Sequence, residues 1–380
     1  MAVYKQQELR KPPISQVGIV RWLRVNLFSS KVNVGLTFAA LYMLYILIPP
    51  LLNWMIFDAN FNFGEFSIFG FEFGEVMATN TNCGRSAACW PFIYEKFDMF
   101  VYGFYPRDLI WRVDIVFAMA ASLFVIVRLA RNYQHKNKVL LAMIIAFPVV
   151  SFYLIAGGSF GLEEVKTHQW GGLMLTLVIA SVGIIISFPI GVLLALGRQS
   201  NLRVISFFST IYIEFIRAVP LITILFMASF VLPLFFTGGV DFDKLLRALV
   251  AITLFQAAYF AEVVRGGLQA IPTGQYEAAD AIGLNYVQKN ALIILPQALK
   301  ISIPNLVGSS ISLFKDTTLV LIIGLMDMLA MVNMTANDIN WLGRETEGFV
   351  FVTITMWIFL YSMSRYSKKL EVRFSTDHKN

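Results

Sequence analysis

Histidine and cysteine are nearly missing from this chain, with three and two residues among 380. His135, His168 and His378 lie far apart, and Cys83 and Cys89 stand away from all three, so no metal-ligand spacing exists and no metal site is expected. There is no H-E-x-x-H, no G-x-x-x-x-G-K-[ST] and no Gly-Lys dipeptide. A phosphate-cradling loop is therefore excluded, and any nucleotide is hydrolysed by another chain. Gly157-Gly158-Ser159-Phe160-Gly161 does fit G-x-S-x-G. It follows an apolar helical stretch rather than a strand and precedes a loop, which denies Ser159 the geometry of a nucleophile elbow. No catalytic residue is expected. Charge is scarce as well, at 14%. The net charge of +6 is not gathered into a basic face, and nucleic acid is set aside as a partner.

Apolar residues are what the chain has in excess, at 57%, with a mean hydropathy of +0.68. That is too much for an ordinary soluble fold, and the fold class is all-α and polytopic in a membrane. Apolar runs at 32–52, 113–127, 139–157, 171–197, 218–236, 245–264, 301–325 and 349–363 predict about eight spans. With both termini in the cytoplasm, most of the 30 lysines and arginines fall on the inner side. The net charge then reads as a topology signal and a match to anionic lipid head groups. The polar, basic arm before residue 32 lacks a small-residue cleavage site, so the first helix is expected to be retained.

The content divides into three regions. Residues 1–112 hold the arm, the first helix and a large outer loop; 113–170 hold two further helices; 171–380 form a five-helix block. Cys83 and Cys89 fall in the outer loop, where two readings are open: a disulfide in an oxidising compartment, or two unpaired thiols. In the same loop Phe61-Asn62-Phe63 and Phe69-Gly70-Phe71-Glu72-Phe73 alternate at period two and predict a short extended ribbon with one apolar face. That face lies either on the membrane or a neighbour, or against the protein's own surface. Pro189, Pro220, Pro233 and Pro304 interrupt spans of the block, either lining a path or kinking helices for packing. Neither a tandem nor an inverted repeat is visible.

Between two spans of the block lies a different kind of segment. Gly274 is placed as N-cap with Glu277 at the third helical position, Gly283 as the left-handed residue that closes a short helix, and Asn285 with Gln288 as the opening of a second. Ala278 and Ala279 leave one face bare, and Tyr276, Ile282 and Leu284 complete a knob shaped to enter a groove on another subunit. For Glu277 alone, a plain helix-dipole contribution of about 0.3–1 kcal/mol is the simpler reading.

The spacing Glu277-Ala278-Ala279, three residues, Gly283, nine residues, Ile293-Ile294-Leu295-Pro296 resembles the signature of binding-protein-dependent bacterial ABC importer permeases. Glu214 to Leu221, Ala261 to Gly267 and Leu313 to Leu319 resemble motifs of the polar amino-acid subfamily, with Ala218-Val219 standing where that subfamily often has Gly-Thr. The extra N-terminal helices, with Cys89-Trp90-Pro91-Phe92 and Gly103-Phe104-Tyr105-Pro106, are similar to the longer general L-amino-acid permeases of the Aap and Bzt type. The resemblance implies a type I ABC importer permease core in a bacterial inner membrane, with coupling helices at about 274–296. It also implies a second related permease, a cytoplasmic ATPase dimer that carries ATP and magnesium, a periplasmic amino-acid-binding protein, and alternating access. No cofactor is expected on this chain itself.

An amino-acid zwitterion needs one cationic and one anionic contact. The expected path residues are Arg217, Pro220, Glu262, Lys315, Asp316 and Thr317, with Lys315 or Arg217 for the carboxylate and Asp316 or Glu262 for the amino group. Adjacent residues point about 100° apart on a helix, so only one of Lys315 and Asp316 faces the path squarely, and the other is available to a partner permease. Arg217 and Glu262 have the alternative of a place at the cytoplasmic interface. Two rival readings stand beside the importer: an ion-coupled secondary amino-acid transporter working alone, and a membrane assembly subunit without transport.

Overall fold

The computed structural model describes residues 18–63, 66–68, 71–73, 83, 84, 86–129, 136–235 and 242–375, with only the backbone at 66–68, 71–73, 124, 127–129, 136–145 and 373–375. The arm before Gly18, Phe69 and Gly70 of the expected ribbon, His135, His378 and the end of the fifth expected span at Phe236 lie outside these residues. The chain divides into two compact units, Met1–Pro91 and Phe92–Asn380.

In the first unit a short amphipathic helix, α1 (Gly18–Asn26), precedes α2 (Lys31–Leu52). Ser30 caps α2 by accepting from the Asn33 amide at 3.2 Å. α2 buries no side chain and runs through Pro49 and Pro50 into a π turn, Asn53–Phe57. An apolar helix uncovered all round suits hydrocarbon. Beyond it the outer loop is held by its own contacts. Cys83 and Cys89 form a disulfide, which decides between the two readings of that pair. The Trp90 indole donates to the Met55 carbonyl at 2.9 Å, and its ring packs edge-on to Trp54 and stacked with Phe61. β1 (Phe66–Ile68) and β2 (Phe71–Phe73) pair antiparallel with Ser67 opposite Glu72, the one departure from an all-helical fold among the described residues.

The second unit opens with α3 (Pro91–Tyr102), tied to the loop near Trp341 by Lys96–Asp338 at 2.7 Å and by the Phe92–Trp341 ring pair. α4 (Ile110–Leu129) and α5 (Lys136–Ala156) follow. The glycine-rich turn after α5 carries positive φ at Gly157, Gly158, Phe160 and Gly161 and starts no helix, so Ser159 sits in no nucleophile elbow.

Five helices, Lys31–Phe57, Gly172–Arg198, Lys244–Gln269, Tyr286–Ile323 and Glu345–Val372, are long and apolar enough to cross a membrane among the described residues, or six with one bent pair. That is fewer than the eight expected. α4 and α5, with 20 and 21 residues, stand at the second and third expected positions, and part of each lies beyond the described side chains.

The centre of the unit is α6 (Gly172–Arg198) against α9 (Lys244–Gln269). α9 meets its neighbours with small residues, Ala248, Ala251, Ala257, Ala258 and Ala261, all buried. Gly191 on α6 lets the backbones approach: a Cβ there would stand 2.7 Å from Phe260 Cβ and 3.0 Å from the Ala257 carbonyl.

Two expected spans are corrected in detail. The fifth, at 218–236, is the second arm of a pair bent by 102°: α7 (Arg203–Ala218), then α8 (Leu221–Phe226) with the turns that follow to Phe235. Pro220 lacks an amide hydrogen and forces Val219 to extended backbone (φ −100°, ψ 132°), so the helix cannot run through. The seventh, at 301–325, begins earlier. A π turn at Asn290–Ile294 carries α11 (Tyr286–Lys289) into α12 (Leu295–Asp316), and a 3₁₀ stretch continues to Ile323. Pro296 follows directly on that π turn, a local break in the hydrogen-bond ladder that accommodates its missing amide hydrogen within the continuous helix. α13 (Met328–Thr335) and α14 (Glu345–Ser375) complete the chain.

Candidate functional site

The short segment between α9 and α12 folds as two capped helices. α10 (Thr273–Ala281) starts after Pro272, whose backbone (φ −58°, ψ 140°) makes the entry without a side-chain cap. Gly274 is therefore the second helical residue rather than the N-cap, and Glu277 lies beyond the third position, exposed. The proline two residues earlier has already set the helix entry. The closure is as expected: Gly283 adopts φ +77°, its amide donates to the Asp280 carbonyl at 3.0 Å, and the Leu284 amide donates to the Ala279 carbonyl at 3.2 Å. These are the two bonds of a Schellman motif. Asn285 and Gln288 form a capping box at the start of α11, with bonds of 2.9 and 3.1 Å. Lys289 reaches back to Asp280 at 2.6 Å and locks the two helices together.

One side of this pair is fastened to the spans. The Tyr276 hydroxyl donates to the Leu268 carbonyl at 3.3 Å, and burial holds its pKa above the ordinary phenol value. Ala279 is 1% exposed, and the Gln297 side chain of α12 donates to that of Gln275 at 3.1 Å. The alanine pair is thus not a bare face: Ala278 is exposed and Ala279 is buried. The other side is open. Gly274, Glu277, Ala278 and Gly283 are exposed, Leu284 is half-buried, and Ile282 is 70% exposed. Sequence reasoning missed Tyr286, Val287 and Leu292, which are also exposed; their signal was apolar residues inside a polar, capped connection.

The C-terminal part of α9 carries a charged cluster. Glu262 lies 3.3 Å from Arg198 of α6 and 3.3 Å from Arg217 of α7, and it accepts two hydrogen bonds from Arg265 one turn on. Arg198 also pairs with Glu214 at 2.8 Å, and Arg217 stands over the Tyr259 ring. Arg217 and Glu262 are brought together two residues before the break at Val219. Arg198, Glu214 and Arg265 were not expected here; the spacings Glu214–Arg217 and Glu262–Arg265, each i to i+3, are what could have pointed to them. With three guanidinium groups against two carboxylates, the cluster keeps an excess of positive charge.

Lys315, Asp316 and Thr317 lie elsewhere, where α12 passes into the 3₁₀ stretch. Thr317 is buried and its hydroxyl donates to the Phe314 carbonyl at 2.8 Å, while Lys315 is exposed and Asp316 half-buried. No ion pair among the described residues connects them to Glu262.

Residues 187–376 match the family described as the binding-protein-dependent transport system inner membrane component. The chain is 49% identical over 359 residues, 93% of its own length and 93% of the relative's, to the inner membrane amino-acid ABC transporter permease protein YhdY of Escherichia coli K12. The chain belongs to this permease family. It is also 37% identical, over 97% of both chains, to the glutamate/glutamine/aspartate/asparagine transport system permease protein BztC of Rhodobacter capsulatus. A crystal structure of an amino acid ABC transporter with histidines aligns at 26% identity over 53% of this chain and 91% of its own, with a TM-score of 0.47. The permease is a multi-pass inner membrane protein. Its family-matched region holds the bent pair, the charged cluster and α10 to α14, whereas the match to YhdY extends across both units.

Proposed function

We propose that this chain is the transmembrane subunit of an ATP-driven, binding-protein-dependent importer of L-amino acids that works by alternating access. The observation that carries the reading is the α10–α11 pair, joined by a Schellman closure and a capping box, held to α9 and α12 on one side and exposing Ile282, Tyr286, Val287 and Leu292 on the other. A rigid knob of this kind converts displacement of a partner into tilting of the helices it hangs from. Gly274, Tyr276, Glu277, Ala278, Ala279, Ile282, Gly283 and Leu284 form the docking element. Tyr276 and Ala279 act from the inner side and the exposed residues meet a cytoplasmic ATPase dimer, which carries the ATP and magnesium.

Both termini lie in the cytoplasm, a second related permease completes the membrane part, and a periplasmic binding protein delivers the amino acid. The substrate path runs past Pro220 and Thr317. The cationic cluster at Arg217 and Glu262 meets the substrate carboxylate, while Asp316 meets the amino group and Lys315 the partner side. The names of the relatives support an amino-acid substrate.

Proteoliposomes holding the chain with its second permease and ATPase test this reading. Uptake of a binding-protein-delivered amino acid should require magnesium and ATP. Uptake driven by an ion gradient without the ATPase would replace the importer with a secondary transporter, and ATPase binding without uptake would leave an assembly subunit.

A further inference from the structure

From Gly18 to Phe57 the chain carries Arg21, Arg24 and Lys31 and no acidic residue. Both arginines belong to α1, the short helix that precedes the α2 span. Three residues apart, they share one side of it, while Ile19, Trp22 and Leu23 recur at the spacing of the opposite side. Asn26, the polar residue on that apolar side, turns its side-chain amide back to the Trp22 carbonyl at 2.9 Å. Ile19, Val20, Trp22, Leu23 and Val25 are all exposed, and α1 buries no side chain.

The connection to α2 holds this helix beside the span instead of letting it trail away. The Thr37 hydroxyl, on the second turn of α2, is shared between the Leu27 and Asn33 carbonyls at 2.8 and 2.7 Å. The Phe28 ring lies 6.3 Å from that of Phe38, and the Asn33 side-chain amide donates to the Ser29 hydroxyl at 2.6 Å. Leu27 is therefore level with a residue about 9 Å into α2. The apolar run of α2 has already begun at Val32, so α1 leaves the span at the depth where head groups give way to acyl chains.

We infer that α1 lies in the membrane surface beside α2, with Ile19, Trp22 and Leu23 among the acyl chains and Arg21 and Arg24 on the phosphates of anionic phospholipids. The inference does not depend on the importer reading, since it concerns only α1 and the span it precedes. The two faces together select the partner. A free phosphate or a nucleic acid offers the arginines an anion but leaves the apolar face in water, whereas a phospholipid covers both. A guanidinium fork suits a phosphate group, and α1 carries no carboxylate to compete for it.

The test uses the full-length permease in nanodiscs, with a fluorophore on Ile19→Cys, whose parent side chain is 77% exposed. Cys83 and Cys89 are joined in the disulfide and take no label, and the chain without the new cysteine sets the background. Trace phosphatidylglycerol or phosphatidylcholine, each bearing a nitroxide on its acyl chain, is added in equal amounts. At low salt the phosphatidylglycerol probe should quench several-fold more than the phosphatidylcholine probe. The preference should vanish in Arg21→Gln/Arg24→Gln and persist in Arg21→Lys/Arg24→Lys, which keeps the charge. Equal quenching by the two probes in the chain with both arginines would leave α1 on the membrane without recognising charge, and no quenching by either would place it in water or against a protein. Each of these results overturns the inference. Should the glutamine variant not accumulate, salt decides on the chain with both arginines: the preference should fall as salt rises, and a preference independent of salt would contradict arginine–phosphate pairing.

Discussion

The Arg217 guanidinium lies 3.3 Å from the Glu262 carboxylate and fastens the last turn of α7 to α9, just before the chain bends by 102°. Glu262 also holds Arg198 and Arg265, so its removal leaves three neighbouring guanidinium groups with Glu214, on Arg198, as the carboxylate that remains in the cluster. Glu262→Gln should lower stability by about 1–3 kcal/mol, since it strips a partly buried carboxylate from several cations. Thermal unfolding of the purified permease in detergent checks this. Arg203→Gln, at the exposed start of α7, should change little.

Gly283 holds φ +77° with nothing within 4 Å of a built Cβ, so the penalty for a side chain there is conformational rather than steric. Gly283→Ala should cost about 1–2 kcal/mol locally, and Gly283→Asn less, because asparagine tolerates the left-handed region better. Limited proteolysis between α10 and α11 reads the loosening. The expected order of cleavage is alanine fastest, then asparagine, then wild type.

Asp327 is fully buried at the start of α13, accepting from the Ala330 amide at 3.0 Å and the Leu329 amide at 3.3 Å. Burial outweighs these bonds and raises its pKa from 3.8 to about 6. The fold thus favours the protonated acid. The stability this group contributes is complete below the unfolded value of 3.8 and is lost as pH rises through about 6. The loss is of the order of 2–3 kcal/mol. Asp327→Asn keeps a capping oxygen and removes the titration. Melting temperatures from pH 4 to 7 should therefore fall less in the variant than in wild type.

The Cys83–Cys89 disulfide predicts that neither thiol reacts with maleimide in intact membranes. Labelling should appear only after reduction, and gel-shift assays on the single chain report it directly.

Long apolar spans were legible because composition alone decides them: α2 and α6 begin and end within a residue or two of where hydropathy changes, whereas α14 continues twelve residues beyond its apolar run into a charged stretch. α7 was not, because Arg203, Glu214 and Arg217 on an amphipathic helix look like a polar connection until Ile213 is seen packed in the core. Pro220 announced a break, yet the angle depends on what α7 rests against. The Schellman closure at Gly283 and the capping box at Asn285 were legible because each is set within a few residues. The pairing of Arg198 with Glu262 was not, since it joins helices distant in sequence. Reading Gly274 as a cap failed for a local reason: Pro272 had already fixed the entry.

The central claim is that the open side of α10 and α11 docks an ATPase. The direct measurement is capture of the ATPase by the full-length tagged permease, comparing wild type with Ile282→Asp and Val287→Asp, whose parent side chains are 70% and 71% exposed and support no packing of their own. Either change should weaken capture by about tenfold or more, equivalent to roughly 1.4 kcal/mol, while the unfolding temperature and the second permease remain unchanged. Undiminished capture by both variants would contradict the docking assignment.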